Sequence, residues 1–266
     1  MNNALILVAL GGLGLIFGSF VNALVWRLHE KRDWVSERSE CPHCHHILAP
    51  KDLVPVISYV MLKGRCRYCK RRIDDTPLTE LATPLLFIVS YLCWPTNFQG
   101  VGLFQFVLWL IFLVGFVALA AYDLRWYLLP NKMVFPIIAL AAVQILAQPI
   151  FYHYNWHTSL DAALGALTLS GLFYVLFQVS DGAWIGGGDV KLAIALGLLA
   201  GDPLRSLMLL FFASMVGTLG ALPMLIKNGM KAKLKLPFGP LLIAGMIIVE
   251  LFGSSIITWY SHLAGL

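Results

Sequence analysis

The feature that most constrains this chain is a series of apolar stretches, most of them long enough to cross a bilayer, parted by short polar connections. They occupy residues 4–26, 78–94, 101–122, 133–151, 160–179, 190–200, 204–226 and 236–260. A hydrocarbon core of about 30 Å asks for about 20 apolar residues in a helix; the second and sixth stretches are the short ones. Only 12% of the 266 residues are charged, against 59% hydrophobic. That is about half the charge of a soluble domain and too little to cover a chain of this length in water. The expected fold is an all-α polytopic membrane protein of about eight transmembrane helices. The start, Met1-Asn2-Asn3-Ala4, carries no positive residue, so the first stretch reads as a permanent span and not as a cleaved signal.

Charge orients these spans. Of the 19 Lys and Arg residues, 11 lie between Arg27 and Arg72, and Lys227, Lys231, Lys233 and Lys235 share one short loop. The connections at 95–100 and 152–159 contain neither Lys nor Arg. By the positive-inside rule the basic segments face the cytoplasm. Eight spans with the N-terminus outside then place the polar insert, 123–132, 180–189 and 227–235 together on the cytoplasmic side. The net charge of +5 follows from this orientation, and nothing in it calls for nucleic acid.

That topology brings two carboxylates to one membrane face. Asp123 closes the third span in Ala121-Tyr122-Asp123-Leu124-Arg125, and Asp189 opens the sixth after Gly186-Gly187-Gly188. Carboxylates at a membrane boundary are costly to desolvate and mark a function or a partner. Two brought together share a proton near neutrality, since one pKa rises when both cannot ionise. The ionised member can then take a proton from water while the protonated one polarises a scissile carbonyl. Three successive glycines allow positive φ and a close approach of a substrate strand. Each aspartate alone also suits a helix boundary, Asp189 as an N-cap.

The insert carries a second constellation. Cys41-Pro42-His43-Cys44 and Cys66-Arg67-Tyr68-Cys69 are two Cys-x-x-Cys knuckles, close to the spacing of a tetrathiolate zinc site. A polar segment of this size has a thin core, and zinc supplies the missing folding energy in such modules. A reducing cytoplasm favours metal over disulfide. Four thiolates leave no open coordination position, so the site reads as structural. His43, His45 and His46 read as surface polar residues, and Cys93 as a small buried hydrophobe.

Taken in order, these segments resemble the bifunctional bacterial type IV prepilin peptidases. The resemblance rests on Phe17-Gly18-Ser19-Phe20-Val21-Asn22 with Arg27-Leu28, then the two knuckles with Pro55-Val56-Ile57-Ser58 between them. It continues through Pro77-Leu78-Thr79-Glu80-Leu81, Asp123 with Leu129-Pro130-Asn131, Gly186-Gly187-Gly188-Asp189-Val190-Lys191, and Pro237-Phe238-Gly239-Pro240. Leu129 stands where Ile is commoner. The resemblance implies an inner-membrane aspartic endopeptidase that removes the basic leader of type IV prepilins or pseudopilins after a Gly, with Asp123 and Asp189 catalytic. It also implies N-methylation of the new N-terminus with S-adenosylmethionine, although no Gly-rich nucleotide loop locates that cofactor. Gly18, Asn22, Arg27 and Glu80 fall in matched segments and join Gly186, Gly187 and Gly188 as candidate substrate-binding residues. Their ordinary roles would be helix packing, an interhelical hydrogen bond and an interface anchor.

The chain thus divides into a first helix (1–26), a cytoplasmic four-Cys zinc insert associated with methyl transfer (27–77) and a seven-helix domain carrying the aspartates (78–266). Expected partners are prepilins and the lipid bilayer. Glu250, deep in the last span, requires a partner or water, and the sequence names none. Two rival readings are an intramembrane protease that cuts deep within helices and a transporter relaying protons through Asp123, Asp189 and Glu250. The insert disfavours the first, and the lack of repeated halves disfavours the second.

Overall fold

A computed structural model describes residues 3–33, 38–73, 77–152, 155–228 and 236–265. The basic loop with Lys231, Lys233 and Lys235 lies outside the described residues. Among the described residues the chain is helical, with two isolated antiparallel bridges and no sheet. The helices are α1 (Asn3–His29), α2 (Ile57–Met61), α3 (Leu78–Leu92), α4 (Val101–Trp126), α5 (Asn131–Tyr152), α6 (Trp156–Val179), α7 (Gly187–Ala200), α8 (Pro203–Asn228) and α9 (Phe238–Ala264). Six of them, α1, α4, α5, α6, α8 and α9, are long and apolar enough to cross a membrane. The count of eight needs α3 and α7 as well, and these have 15 and 14 residues, about 22 Å each at the helical rise.

The chain folds as two compact units: Met1–Leu92 with Phe106–Ala121, and Cys93–Gln105 with Tyr122–Leu266. This line differs from the division read in the sequence, because α3 and the middle of α4 join α1 and the insert.

In the first unit, α1 lies directly on α3. A Cβ on Gly14 would sit 2.4 Å from Pro84 Cα, and one on Gly18 would sit 2.6 Å from both Glu80 Cα and Thr79 O. Gly14 and Gly18 are four apart, the small-xxx-small spacing that lets two membrane helices touch backbone to backbone. Around this seam Val21, Val25 and Phe87 are fully buried. The middle of α4 closes the unit through Trp109, whose Nε1–H donates to Ser90 Oγ at 3.0 Å.

In the second unit the short helix α7 is the hub, packed against α5, α6, α8 and α9. Its residues Leu192, Ala193, Ala195, Leu196, Gly197 and Ala200 are buried. Contact with α6 is as close as α1 on α3, since a Cβ on Gly197 would lie 2.5 Å from Ala166 Cα. This 14-residue helix is thus packed along its middle and its last turn by protein on several sides. At the opposite end of α7 from Asp189, the Arg205 guanidinium donates to Ser254 Oγ at 2.9 Å and pairs with Asp202 at 3.5 Å.

Candidate active sites

The ends of three helices of the second unit converge. Helix α4 stops at Trp126 because Tyr127 turns into the left-handed region, φ 53°, its N–H donating to Asp123 O at 2.8 Å. Asp123 is therefore in the last turn, three residues before the helix ends, and is only 5% exposed. Its Oδ2 accepts the N–H of Gly239 at 3.1 Å. That N–H belongs to the first turn of α9, where helical donors lack an intrahelical acceptor and the helix dipole favours an anion. A Cβ at Gly239 would stand 2.8 Å from Asp123 Oδ2. The glycine of Pro237-Phe238-Gly239-Pro240 is thus required by the carboxylate.

Asp189 occupies the first turn of α7, three residues after Gly186, which is the N-cap residue, so the alternative role of Asp189 as an N-cap is not the one it takes. The Gly186 N–H donates to Asp189 Oδ2 at 3.2 Å, and the Asp189 N–H donates to Gly186 O at 3.0 Å. This reciprocal pair fixes the carboxylate against its own helix start. Gly186 has φ −75°, and neither Gly187 nor Gly188 has positive φ. The expectation of positive φ therefore fails, because the run opens a helix. What Gly188 provides is room: a Cβ there would meet Leu129 Cβ at 2.9 Å. Leu129 Cδ2 also lies 3.4 Å from the Cβ position of Gly239, so one side chain of the loop after α4 is wedged between the starts of α7 and α9.

The two aspartates are electrostatic neighbours. Burial pushes the Asp189 carboxyl up to about 6, the Asp123 charge pushes the same way, and the Gly186 N–H opposes both. A carboxyl that holds its proton to near neutrality beside a second carboxylate is the arrangement needed for shared-proton chemistry. Sequence reasoning missed two supports of this site. Lys191 Nζ–H donates to Asn131 Oδ1 at 2.9 Å and lies 5.7 Å from the Phe135 ring, tying α7 to α5. Phe173 and Phe238, with centroids 5.7 Å apart, tie α6 to the start of α9. Asn131, Lys191 and Phe238 sit in segments legible as motifs and Phe173 does not, and no local signal says what any of them touches.

In the first unit the four cysteine sulfurs all lie within 4.8 Å of one another, Cys41 Sγ and Cys69 Sγ at 3.9 Å. Four ligands at 2.3 Å around a tetrahedral zinc would be about 3.8 Å apart, so the cluster fits that ion. The knuckles are copies in hydrogen bonding. Cys41 N–H donates to His46 O and His45 N–H to Cys41 O; Cys66 N–H donates to Arg71 O and Lys70 N–H to Cys66 O. Bridges Glu40–Ile47 and Arg65–Arg72 flank them at matching offsets. The histidines stand outside this four-sulfur group. His45 Nδ1 lies 3.3 Å from Glu40 Oε1, and the His46 ring is 3.6 Å from that of Tyr68. Cys93 is half-buried.

The remaining candidates separate. Asn22, Arg27 and Glu80 come together on a cavity of about 200 Å³ in the first unit. Gly18 belongs to the α1–α3 seam, where it admits the Glu80 backbone. Gly186, Gly187 and Gly188 belong to the aspartate site of the second unit.

Known proteins resemble the chain along most of its length. The Bacterial Peptidase A24 N-terminal domain matches residues 13–94, and the Type IV leader peptidase family matches residues 110–222. A prepilin leader peptidase/N-methyltransferase of Bacillus subtilis strain 168 is 30% identical over 94% of this chain and 96% of its own. The protein of the same description from Pseudomonas aeruginosa PAO1 is 32% identical over 95% of this chain and 92% of its own. A type 4 prepilin-like proteins leader peptide-processing enzyme of Escherichia coli H10407 is 32% identical over 88% and 89%. No solved structure matches the chain.

Proposed function

Because the chain belongs to the type IV leader peptidase family, we propose that it is a membrane aspartic endopeptidase that removes the basic leader of type IV prepilins or pseudopilins and then N-methylates the new N-terminus. The observation that carries the peptidase half is Asp189 held as an electrostatic neighbour of Asp123. The pair keeps one proton. Its ionised member takes a proton from water, which attacks the scissile carbonyl, while the protonated member hydrogen-bonds to that carbonyl oxygen. The Gly239 and Gly186 N–H groups hold the two carboxylates in place.

Orientation agrees with this chemistry. The basic segments place the aspartate face and the insert in the cytoplasm, with the N-terminus outside, in a bacterial inner membrane. A prepilin has its basic leader on that side and its apolar helix in the bilayer, so its cleavage point, after a Gly, comes to the aspartates. Gly186, Gly187 and Gly188 line its approach.

The methyltransferase half is read from the names of the relatives and from the insert at 27–77. Cys41, Cys44, Cys66 and Cys69 would hold a structural zinc, which completes the fold of a segment with little core. S-adenosylmethionine would supply the methyl group. The function of residues 78–266 is then peptide hydrolysis, and that of 27–77 supports methyl transfer.

The deciding experiment is cleavage of a type IV prepilin by the purified protein in detergent, beside Asp189→Asn. Cleavage by the wild type alone, directly before the mature helix, supports the reading. No cleavage of several prepilins by folded protein overturns it.

A further inference from the structure

The cavity in the first unit is lined by Asn22, Trp26 and Arg27 of α1, by Tyr59 of α2, and by three carboxylates, Glu40, Asp52 and Glu80. Each wall is fixed from behind. Glu80 Oε2 accepts the Val56 N–H at 2.7 Å, and this holds Val56 at φ 61°, a region that a β-branched residue enters only under constraint. Asp52 Oδ1 accepts from Arg67 Nε at 2.6 Å, and Glu40 Oε1 accepts from Arg32 at 2.5 Å. Glu40 and Pro42, both lining residues, flank Cys41, so the four-sulfur cluster carries one side of the cavity.

We infer that this cavity is the binding site of the methyl donor, S-adenosylmethionine, receiving its methionyl end; the inference rests on the methyltransferase reading above. The methionyl end carries a carboxylate, an ammonium and a sulfonium within a few bonds. Arg27 is the one Lys or Arg among the described lining residues and suits the carboxylate. Glu80, Asp52 and Glu40 suit the two positive centres, and Tyr59 and Trp26 line the same cavity, the Trp26 ring with the Arg32 guanidinium 5.2 Å from its centroid. A volume of about 200 Å³ lies below the roughly 300 Å³ at which whole-ligand pockets begin, which suits the charged end with the nucleoside outside it.

Binding can be read without turnover. Equilibrium dialysis of the full-length protein in detergent against radiolabelled S-adenosylmethionine should show affinity falling roughly tenfold or more in Glu80→Gln and in Arg27→Met, with the melting midpoint held. Ultraviolet cross-linking of the same ligand to the wild type should label peptides containing Trp26 or Tyr59, and it decides the matter even where a variant misfolds. Undiminished binding in both folded variants, or labels confined to residues beyond 121, would overturn the cavity assignment and leave the methyltransferase reading standing. A wild-type chain that neither binds S-adenosylmethionine nor methylates a cleaved pilin overturns both.

Discussion

The aspartate site and the four-cysteine insert are built by opposite means. At the aspartates, helix ends are aimed by buried apolar packing, and the local partners are main-chain N–H groups from Gly239 and Gly186. No metal is required there, because α7 is wedged among four helices and cannot move its first turn without disturbing Leu192, Ala193 and Leu196. In the insert, among the described residues between the knuckles, the longest helix has five residues, none buried. Its order comes from two hydrogen-bonded knuckles, ion pairs such as Arg67–Asp52 at 2.6 Å, and four sulfurs gathered within 4.8 Å. Apolar packing places a site wherever long helices meet. A short polar segment buries too little area to offset its ordering entropy and needs a cross-link.

The largest break in this comparison comes from substituting one member of each constellation. Asp123→Asn or Asp189→Asn should reduce prepilin cleavage to background, since neither an unpaired carboxylate nor an amide can share the proton. Bound zinc per chain should stay that of the wild type. Cys41→Ser or Cys66→Ser should do the reverse: metal content and methyl transfer fall, and limited proteolysis opens the insert, because the metal supplies much of its folding energy. Zinc measured by atomic absorption beside cleavage and methylation assays separates the two. A cysteine variant that keeps its full zinc content would end the tetrathiolate model.

Gly239→Ala tests whether packing places the carboxylate. The new methyl would sit 2.8 Å from Asp123 Oδ2, closer than real Cβ contacts allow, and both the helix start and the carboxylate are buried. Overpacking of this kind costs about 1–3 kcal/mol, so kcat should fall about ten- to a hundredfold, with KM less affected. Full activity would show that the Asp123 carboxylate can shift away from a methyl group at this position without loss of function.

Much of this was legible in the sequence, for reasons that differ by residue. Lipid imposes a length and composition on spans that a reader can see, so all eight apolar stretches appear as helices, most of them extended a few residues into a polar flank, as α4 is through Arg125 to Trp126, while α3 stops two residues short at Leu92. The cysteines were legible because metal-ligand spacing is local. The glycine run misled: three glycines permit positive φ, but Asp189 three residues after Gly186 makes a helix start cheaper. Contacts across the chain left no local mark. Nothing in Pro237-Phe238-Gly239-Pro240 says that its third residue donates to a side chain 116 positions earlier.

A smaller and graded test follows from the raised Asp189 carboxyl. Its value of about 6 lies above the ordinary carboxylate range near 3.9. A raised acid keeps its proton to higher pH, so the pair holds its one shared proton below about 6 and loses it as the pH rises through that value. Cleavage should therefore decline along an alkaline limb centred near pH 6. A limb near 4, with the protein still folded, would mean that Asp189 ionises without regard to Asp123, and the shared-proton pair would be lost.

The smallest expected effect asks how far the aspartate site depends on side chains as well as on packing. Lys191 is exposed at its hydrogen bond to Asn131 Oδ1, and such bonds contribute about 0.5–1.5 kcal/mol. Lys191→Met should lower kcat/KM a fewfold, because α7 is held mainly by its buried face, and the alkaline limb should stay where it was. Asn131→Ala should do the same, and the double variant should lose no more than either single one, since both remove one contact. Additive losses would mean that Lys191 acts on something other than Asn131, the Phe135 ring at 5.7 Å or the substrate itself. Side-chain chemistry would then share the work that the comparison assigns to packing alone.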